Sequence, residues 1–141
     1  MLFMWALITA VLPTEAHGAE RLASRLEEVS TAFREGDATH LGTSLTAITK
    51  LEADLRALGG SQGVYAAGQL EVIFRGIFRD FETRELVFGP ADLANPKAAV
   101  ARGRLTFRSR VAGPGEQTRN LTLLLRPESG DWRIFEIRSS R

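Results

Sequence analysis

Cysteine is absent from this 141-residue sequence, and histidine and tyrosine are scarce, with two copies and one. Without a thiol the chain can form no disulfide framework, thiolate metal site or cysteine nucleophile. It also has no phosphate-binding loop, dinucleotide fingerprint or histidine-rich metal spacing, so we expect no metal and no cofactor. The net charge of +1 is far from that of a dedicated nucleic-acid binder, and no nucleic-acid partner is expected.

The remaining composition, 44% apolar and 25% charged, is that of one ordinary globular domain. At the N-terminus, an apolar run from Leu2 to Leu12 is followed by small residues at Ala16 and Gly18. This predicts a signal peptide over residues 1–18 and a single domain over residues 19–141, although no basic residue precedes the run. The alternative is a buried N-terminal strand or helix.

The predicted signal peptide also bears on location. Its apolar run is eleven residues long, whereas a membrane-spanning helix needs about 20. We therefore expect no stable membrane anchor and a periplasmic or secreted product.

Helical spacing dominates the first part of the predicted domain. Apolar residues recur from Leu22 to Phe33 at intervals of four, three and four, which predicts an amphipathic helix ended by Gly36. Asp37 can cap a short second helix. A broad apolar stripe over residues 70–81 predicts a third helix. The segment Lys50–Arg56 is ambiguous, because it alternates as a strand does while its leucines also continue a helical pattern.

After residue 81 the period changes to two. Candidate strands cover Glu82–Pro90, Ala98–Val111, Gln117–Arg126 and Asp131–Ser139, and turn-rich segments separate them. Helices followed by an antiparallel meander predict an α+β fold with the helices packed on one face of the sheet.

Several segments carry a family resemblance: "FREGDATHL", "KLEADL", "GVYAAGQLEVIFRGIFRDF" and the terminal "GDWRIFEIR". Over roughly residues 20–140 the chain resembles the nuclear transport factor two-like (cystatin-like) superfamily, which includes ketosteroid isomerase and SnoaL relatives. It is most similar to a small exported bacterial family of unknown function within that superfamily. The resemblance implies a cone, with helices in the concavity of a strongly bent, mostly antiparallel sheet, and makes Lys50–Arg56 the first strand.

Catalytic signals are weak. Residues 59–63 match the G-x-S-x-G pattern of a hydrolase, but no histidine follows His40, so a Gly/Ser loop is the expected structure. The resemblance also admits acid/base catalysis of the ketosteroid isomerase type, which needs an inward carboxylate and a neutral donor. Asp54 has outward parity on the proposed strand, and Tyr65 precedes the third helix. No residue is assigned a catalytic role.

Two binding features remain. Arg102, Arg104, Arg108 and Arg110 share one face of a predicted strand, which suits either a polyanion or a solvated, internally paired face. Small residues on the opposite face could leave an apolar pocket under the third helix, unless side chains fill it. The candidate pocket residues are Phe74, Phe78, Phe81, Phe88, Ala101, Gly103, Phe107, Leu121 and Leu123.

The sequence therefore favours an exported, non-enzymatic module that binds a small apolar ligand or a protein partner. An isomerase or hydratase-like enzyme is the first alternative, and a polyanion-binding surface through the arginine row is the second. A homodimer formed through the sheet is a further expectation.

Overall fold

The computed structural model describes residues 14–95, 97–111, 113 and 115–141. Most of the predicted signal peptide, residues 1–13, lies outside this range. The helices are α1 (Thr14–Glu35), α2 (Ala38–Gly42) and α3 (Ala67–Asp80). None of the helices in the described part of the chain is long and apolar enough to cross a membrane.

Seven strands form one mostly antiparallel sheet that does not close into a barrel. In chain order they are β1 (Leu51–Asp54), β2 (Gln62–Tyr65), β3 (Phe81–Phe88), β4 (Asp92–Asn95), β5 (Ala98–Ser109), β6 (Glu116–Glu128) and β7 (Asp131–Ser140). Their spatial order is β2-β1-β7-β6-β5-β3, and β4 also pairs with β5. The β1–β7 pairing is parallel. The predicted α+β class with helices against a mostly antiparallel sheet is confirmed.

The helix boundaries follow the local signals in the sequence. Gly36 ends α1 in the left-handed region, at a φ of +64°, which glycine adopts without steric cost. The Asp37 side chain caps α2 by accepting the backbone N–H of His40 at 2.9 Å. The Gln69 side chain accepts the N–H of Ala66 at the start of α3. All three predicted helices are confirmed.

Strand β1 resolves the ambiguity in Lys50–Arg56. Leu51, Ala53 and Leu55 are buried and alternate with more exposed residues, so the strand pattern is the correct one. The predicted Gly/Ser loop is partly wrong, because Gln62–Tyr65 pairs with β1 as an edge strand. Strand β4 was not predicted.

The core lies between the helices and the inner face of the sheet. Phe33 on α1 packs edge-on against Phe74 and Phe78 of α3, with ring centroids 5.6 and 5.2 Å apart. Phe74, Phe78 and Trp132 are buried. The predicted end of the strand Ala98–Val111 is wrong, because β5 ends at Ser109 and Val111 is 82% exposed. The chain bends there as the Arg110 N–H bonds the Asp80 carbonyl.

Polar contacts fasten the N-terminal half of α1 to the β6–β7 turn. The Arg25 guanidinium is buried and contacts Glu28, Ser44 and Asp131. The Trp132 indole N–H donates to the Gly18 carbonyl at 3.0 Å. These contacts hold α1 across the sheet at one end, and the aromatic cluster holds it at the other.

Candidate functional site

A groove of about 560 Å³ lies between α1 and strand β3. This volume lies in the range of about 300–1,000 Å³ that is typical of small-molecule sites. Its floor is apolar and includes Leu22 and Leu26 of α1 and Leu86 and Phe88 of β3. The Ser30 hydroxyl donates to the Leu86 carbonyl at 3.1 Å and joins the two walls.

Local sequence explains why a groove forms at this place. Ala19 and Ala23 are small residues on the side of α1 that faces the groove. On the other wall, β3 is interrupted by a register shift between Thr83 and Glu85, and the chain leaves the strand at Gly89-Pro90. The small side chains of the helix and the interrupted strand thus line the open space between them.

Charged side chains line the groove together with its apolar floor. Arg34 and Glu27 come from α1, and Arg84 and Glu85 come from β3. Phe33 packs against Phe78, which closely precedes β3 in the chain, so the C-terminal end of α1 lies near the start of β3. This direction places the backbones of Arg34 and Arg84 at the same end of the groove, but the Arg84 side chain bonds Glu116 of β6, two strands from β3.

The predicted pocket residues do not come together around one open space. Phe74, Ala101, Phe107, Leu121 and Leu123 are 0–2% exposed and belong to the packed core. The void beside Phe78, Phe81 and Phe107 measures about 10 Å³, which is at most enough for one water.

Phe88 and Gly103 explain why the space beneath the predicted pocket is filled. The Phe88 ring covers Gly103 so closely that a Cβ on this glycine would lie 2.8 Å from a ring carbon. Of the nine predicted residues, Phe88 is the one that lines the α1–β3 groove. Small residues in the sheet thus admit an aromatic ring from the neighbouring strand instead of leaving a cavity.

Comparison with solved structures identifies the fold. A ketosteroid isomerase-like protein from Erwinia carotovora atroseptica matches with a TM-score of 0.70 at 16% identity, over 86% of this chain and 94% of the other. A DUF4783 family protein from Bacteroides uniformis matches with a TM-score of 0.62 at 15% identity, over 82% and 94%. This is the nuclear transport factor two-like fold.

The resemblance predicted from the sequence is thereby confirmed. A Nostoc punctiforme protein of unknown function with a cystatin-like fold also matches, with a TM-score of 0.59 at 11% identity over 85% of this chain and 87% of the other. No family model matches the sequence, and the search of curated proteins finds no relative. At these identities the comparisons establish the nuclear transport factor two-like fold and leave activity to be argued from the residues.

Asp54 and Tyr65 can be compared with the needs of acid/base catalysis on this fold. Asp54 bonds Arg56 at 2.8 and 2.9 Å, and these hydrogen bonds lower the pKa of its carboxyl to about 2. A carboxylate with so low a pKa is a poor proton acceptor near neutral pH. The Tyr65 hydroxyl shares a 2.6 Å hydrogen bond with Ser61. Neither residue lines the α1–β3 groove.

The outer face of the sheet carries a pair of carboxyl groups on β1 and β7. Glu52 and Glu136 are register partners. The Glu136 carboxylate accepts a hydrogen bond from protonated Glu52, and this bond and the negative charge of Glu136 raise the pKa of Glu52 above the ordinary 4.5. Glu136 is buried and has Arg138 at 3.0 Å. The ion-pair partner of Glu136 is thus on its own strand and not among the arginines of β5.

The arginine row is shorter than predicted. Arg102, Arg104 and Arg108 project from the outer face of β5 and are exposed, whereas Arg110 follows the end of the strand. None of these four guanidinium groups has an ion-pair partner among the described residues.

Three potential metal ligands meet at the turn between α1 and α2. Glu35, Asp37 and His40 each offer one donor atom within 4.8 Å of the others, and all are at least partly exposed. The Asp37 carboxylate already accepts the His40 backbone N–H. Helix capping therefore accounts for the proximity of Asp37 and His40.

Proposed function

We propose that this domain binds a small, mostly apolar molecule in the α1–β3 groove and does not transform it. The observation that carries the proposal is an open groove of about 560 Å³ whose floor consists of leucine and phenylalanine side chains. The residues lining it include no histidine or tyrosine. Its two carboxylates, Glu27 and Glu85, are exposed to solvent.

The charged end of the groove indicates the chemistry of the ligand. Arg34 has a single long hydrogen bond to Thr31, at 3.3 Å, and Arg84 bonds Glu116 through its Nε. Glu116 lies on β6, two strands from β3, so the Arg84 side chain is engaged across β5. A ligand with an apolar body and one anionic or strongly accepting end would place the body on the apolar lining of the groove and the end beside Arg34.

A dye-binding titration tests the proposal with a matched pair of variants. The probe is 1-anilinonaphthalene-8-sulfonate, which has apolar rings and one anionic group. Ala23→Trp places an indole in the groove from an exposed helical position, whereas Ser24→Trp places one on the neighbouring, exposed position outside it. We expect Ala23→Trp to weaken binding by about tenfold, equal to about 1.4 kcal/mol, and Ser24→Trp to leave it unchanged.

Two results would overturn the proposal. Equal affinity in both variants would mean that the dye binds elsewhere. Turnover of an enolisable ketone that disappears in Glu27→Gln or Glu85→Gln would assign acid/base chemistry to the groove. Native mass spectrometry of the purified protein provides an independent measurement, because a retained ligand adds its mass to the intact chain.

We further propose that residues 1–18 are removed on export and that the mature protein is periplasmic or secreted. The support is the apolar run from Leu2 to Leu12 and the small residues at Ala16 and Gly18. Intact-mass measurement of protein recovered from the periplasm or medium of a bacterial host should give a chain that begins at Ala19. Recovery of the uncleaved chain from the cytoplasm alone would refute the proposal.

A further inference from the structure

Two arginines on the outer face of β5 have neighbours of a particular kind. In the strand register, Arg102 lies opposite Thr122 and Arg104 lies opposite Asn120, both on β6. Both arginine side chains are exposed. No acidic side chain lies beside either of them on β6, so their charge is not neutralised across this strand pair.

The polar band continues onto the next strand. On β7, Arg138 lies opposite Thr122 and Ser140 lies opposite Asn120. Directly opposed residues of antiparallel strands project to the same side of the sheet. Two adjacent rows therefore cross β7, β6 and β5 on the outer face. The rows consist of Arg138, Thr122 and Arg102, and of Ser140, Asn120 and Arg104.

The dimensions of the band follow from sheet geometry. Arg102 and Arg104 are two residues apart on one strand, a separation of about 6.5–7 Å, and β5 and β7 are about 9.5 Å apart. Arginine binds carboxylates through two parallel hydrogen bonds. Hydroxyl and amide side chains both donate and accept hydrogen bonds. Thr122 and Asn120, which lie beside the arginines on β6, therefore suit a ligand that carries hydroxyl groups as well as negative charges.

Acidic residues border the band on both sides. On one side, Glu136 and Glu52 occupy the neighbouring row on β7 and β1. On the other side, Glu85 lies opposite Thr106. The carboxylates on both sides of the band would repel a broad anionic surface that covered this face. A narrow anionic chain can lie along the band between these carboxylates.

Arg108 provides an internal contrast. It lies between Glu82 of β3 and Glu116 of β6 in the register. Opposite charges on directly opposed residues of adjacent strands attract one another. The arginine row is therefore divided into a part without acidic neighbours on β6, at Arg102 and Arg104, and a part with an acidic residue opposite it on each neighbouring strand, at Arg108.

We propose that this band, defined by Arg102, Arg104, Asn120, Thr122, Arg138 and Ser140, binds a linear acidic polysaccharide whose sugars carry carboxylate groups. Carboxylates pair with the guanidinium groups of Arg102 and Arg104, and sugar hydroxyls exchange hydrogen bonds with Thr122 and Asn120; Arg138 is held by Glu136 at 3.0 Å. The band lies on the outer face of the sheet and shares no residue with the α1–β3 groove. The proposal is thus independent of ligand binding in that groove.

Titration calorimetry with oligogalacturonates at low salt tests the proposal. The test variant is Arg102→Gln/Arg104→Gln, and the matched control is Arg108→Gln/Arg110→Gln, which removes the same charge from the same strand and its end. We expect the first variant to lose about tenfold in affinity and the control to stay within about twofold. Because the first variant makes fewer ionic contacts with the glycan, its binding releases fewer counterions. The salt dependence of binding should therefore fall in this variant only.

Three outcomes would overturn the proposal. An equal loss in both variants would mean that the glycan responds to net charge and not to the band. Tighter binding of linear polyphosphate or of vesicles rich in phosphatidylglycerol, sensitive to Arg102 and Arg104, would assign the band to another partner. Absence of oligogalacturonate binding by the unmodified chain would refute it directly. Circular dichroism and the dye titration on every variant separate these outcomes from loss of the fold or of the groove.

Discussion

Replacing Gly103 with alanine probes the contact that separates the packed core from the groove. An added Cβ would lie 2.8 and 2.9 Å from two carbons of the Phe88 ring and 3.1 Å from a Leu86 methyl group. Real Cβ atoms do not approach other atoms so closely, so the ring must move. Phe88 is only partly buried and lines the groove. It can therefore turn outward, into the space proposed to hold the ligand.

The size of the effect follows from two opposing contributions. Overpacking of this kind costs about 1–3 kcal/mol, and replacing a strand glycine with alanine recovers about 0.5–1 kcal/mol of backbone entropy. We expect a net loss of about 1–2 kcal/mol in the free energy of unfolding. With a urea dependence of about 2 kcal/mol per molar, the midpoint should fall by about 0.5–1 M.

A second variant and a control make the test specific. Phe88→Leu removes the clashing ring, so Gly103→Ala should cost much less in that background, with a coupling energy of about 1 kcal/mol. Gly68→Ala is the matched control, because no atom lies within 4 Å of its added Cβ. Dye affinity should fall in Gly103→Ala and stay unchanged in Gly68→Ala. An unchanged urea midpoint together with zero coupling to Phe88 would refute the reasoning.

Three further predictions concern the core, the acidic pair and the start of α1. Phe74→Ala removes a fully buried ring and should destabilise the fold by about 3–5 kcal/mol by urea unfolding; a loss below about 1 kcal/mol would contradict its place in the core. Because the pKa of Glu52 is raised by Glu136, the unmodified protein should lose stability as pH rises above 4.5 through the range in which Glu52 ionises. Glu52→Gln should abolish that loss in urea midpoints measured across this range, and parallel pH curves would contradict it. The indole of Trp132 can bond the Gly18 carbonyl only in a chain that retains Gly18. Trp132→Phe should therefore lower the free energy of unfolding, measured in urea, by about 1 kcal/mol more in that chain than in one that begins at Ala19. Equal losses in the two chains would contradict this hydrogen bond.

The elements that the sequence predicts are those whose own residues alternate with the right period. Helix α3 has its apolar residues on one face, and α1 ends at a glycine that adopts the left-handed conformation. The segment Lys50–Arg56 fits both a helical and a strand pattern. The helical pattern would bury the preceding Ile48, but Ile48 is 68% exposed, so the observed burial agrees with the strand. The local pattern is sufficient to predict the type of element where the alternation is long, and it is insufficient where the alternation is short.

The missed features depend on contacts between distant segments. Strand β2 has only four residues and includes Gly63, so its local pattern is short, and its pairing with β1 forms it. The groove was missed because its walls, α1 and β3, are far apart in sequence. The small residues Ala19 and Ala23 and the Gly89-Pro90 break were the local signals for it, but neither signal alone indicates that the other wall is near.

The arginine row was predicted from alternation, but its division was not. Whether an arginine is neutralised depends on the residues opposite it, and strand alternation does not specify the register. Arg104 faces Asn120, whereas Arg108 faces Glu116. The same face of one strand thus contains two electrostatic environments that sequence periodicity cannot distinguish.

The position of β7 has a consequence for the order of folding. The last long strand of the chain lies in the interior of the sheet, between β1 and β6. Until it is synthesised, the β1–β2 hairpin has no neighbour and the sheet remains in two pieces, so the inner face cannot be completed. Such non-local pairing makes folding slow and delays it until the whole chain has left the ribosome. A chain with this topology stays unfolded while it is being made, which is the state in which a newly synthesised polypeptide can be threaded through a narrow channel.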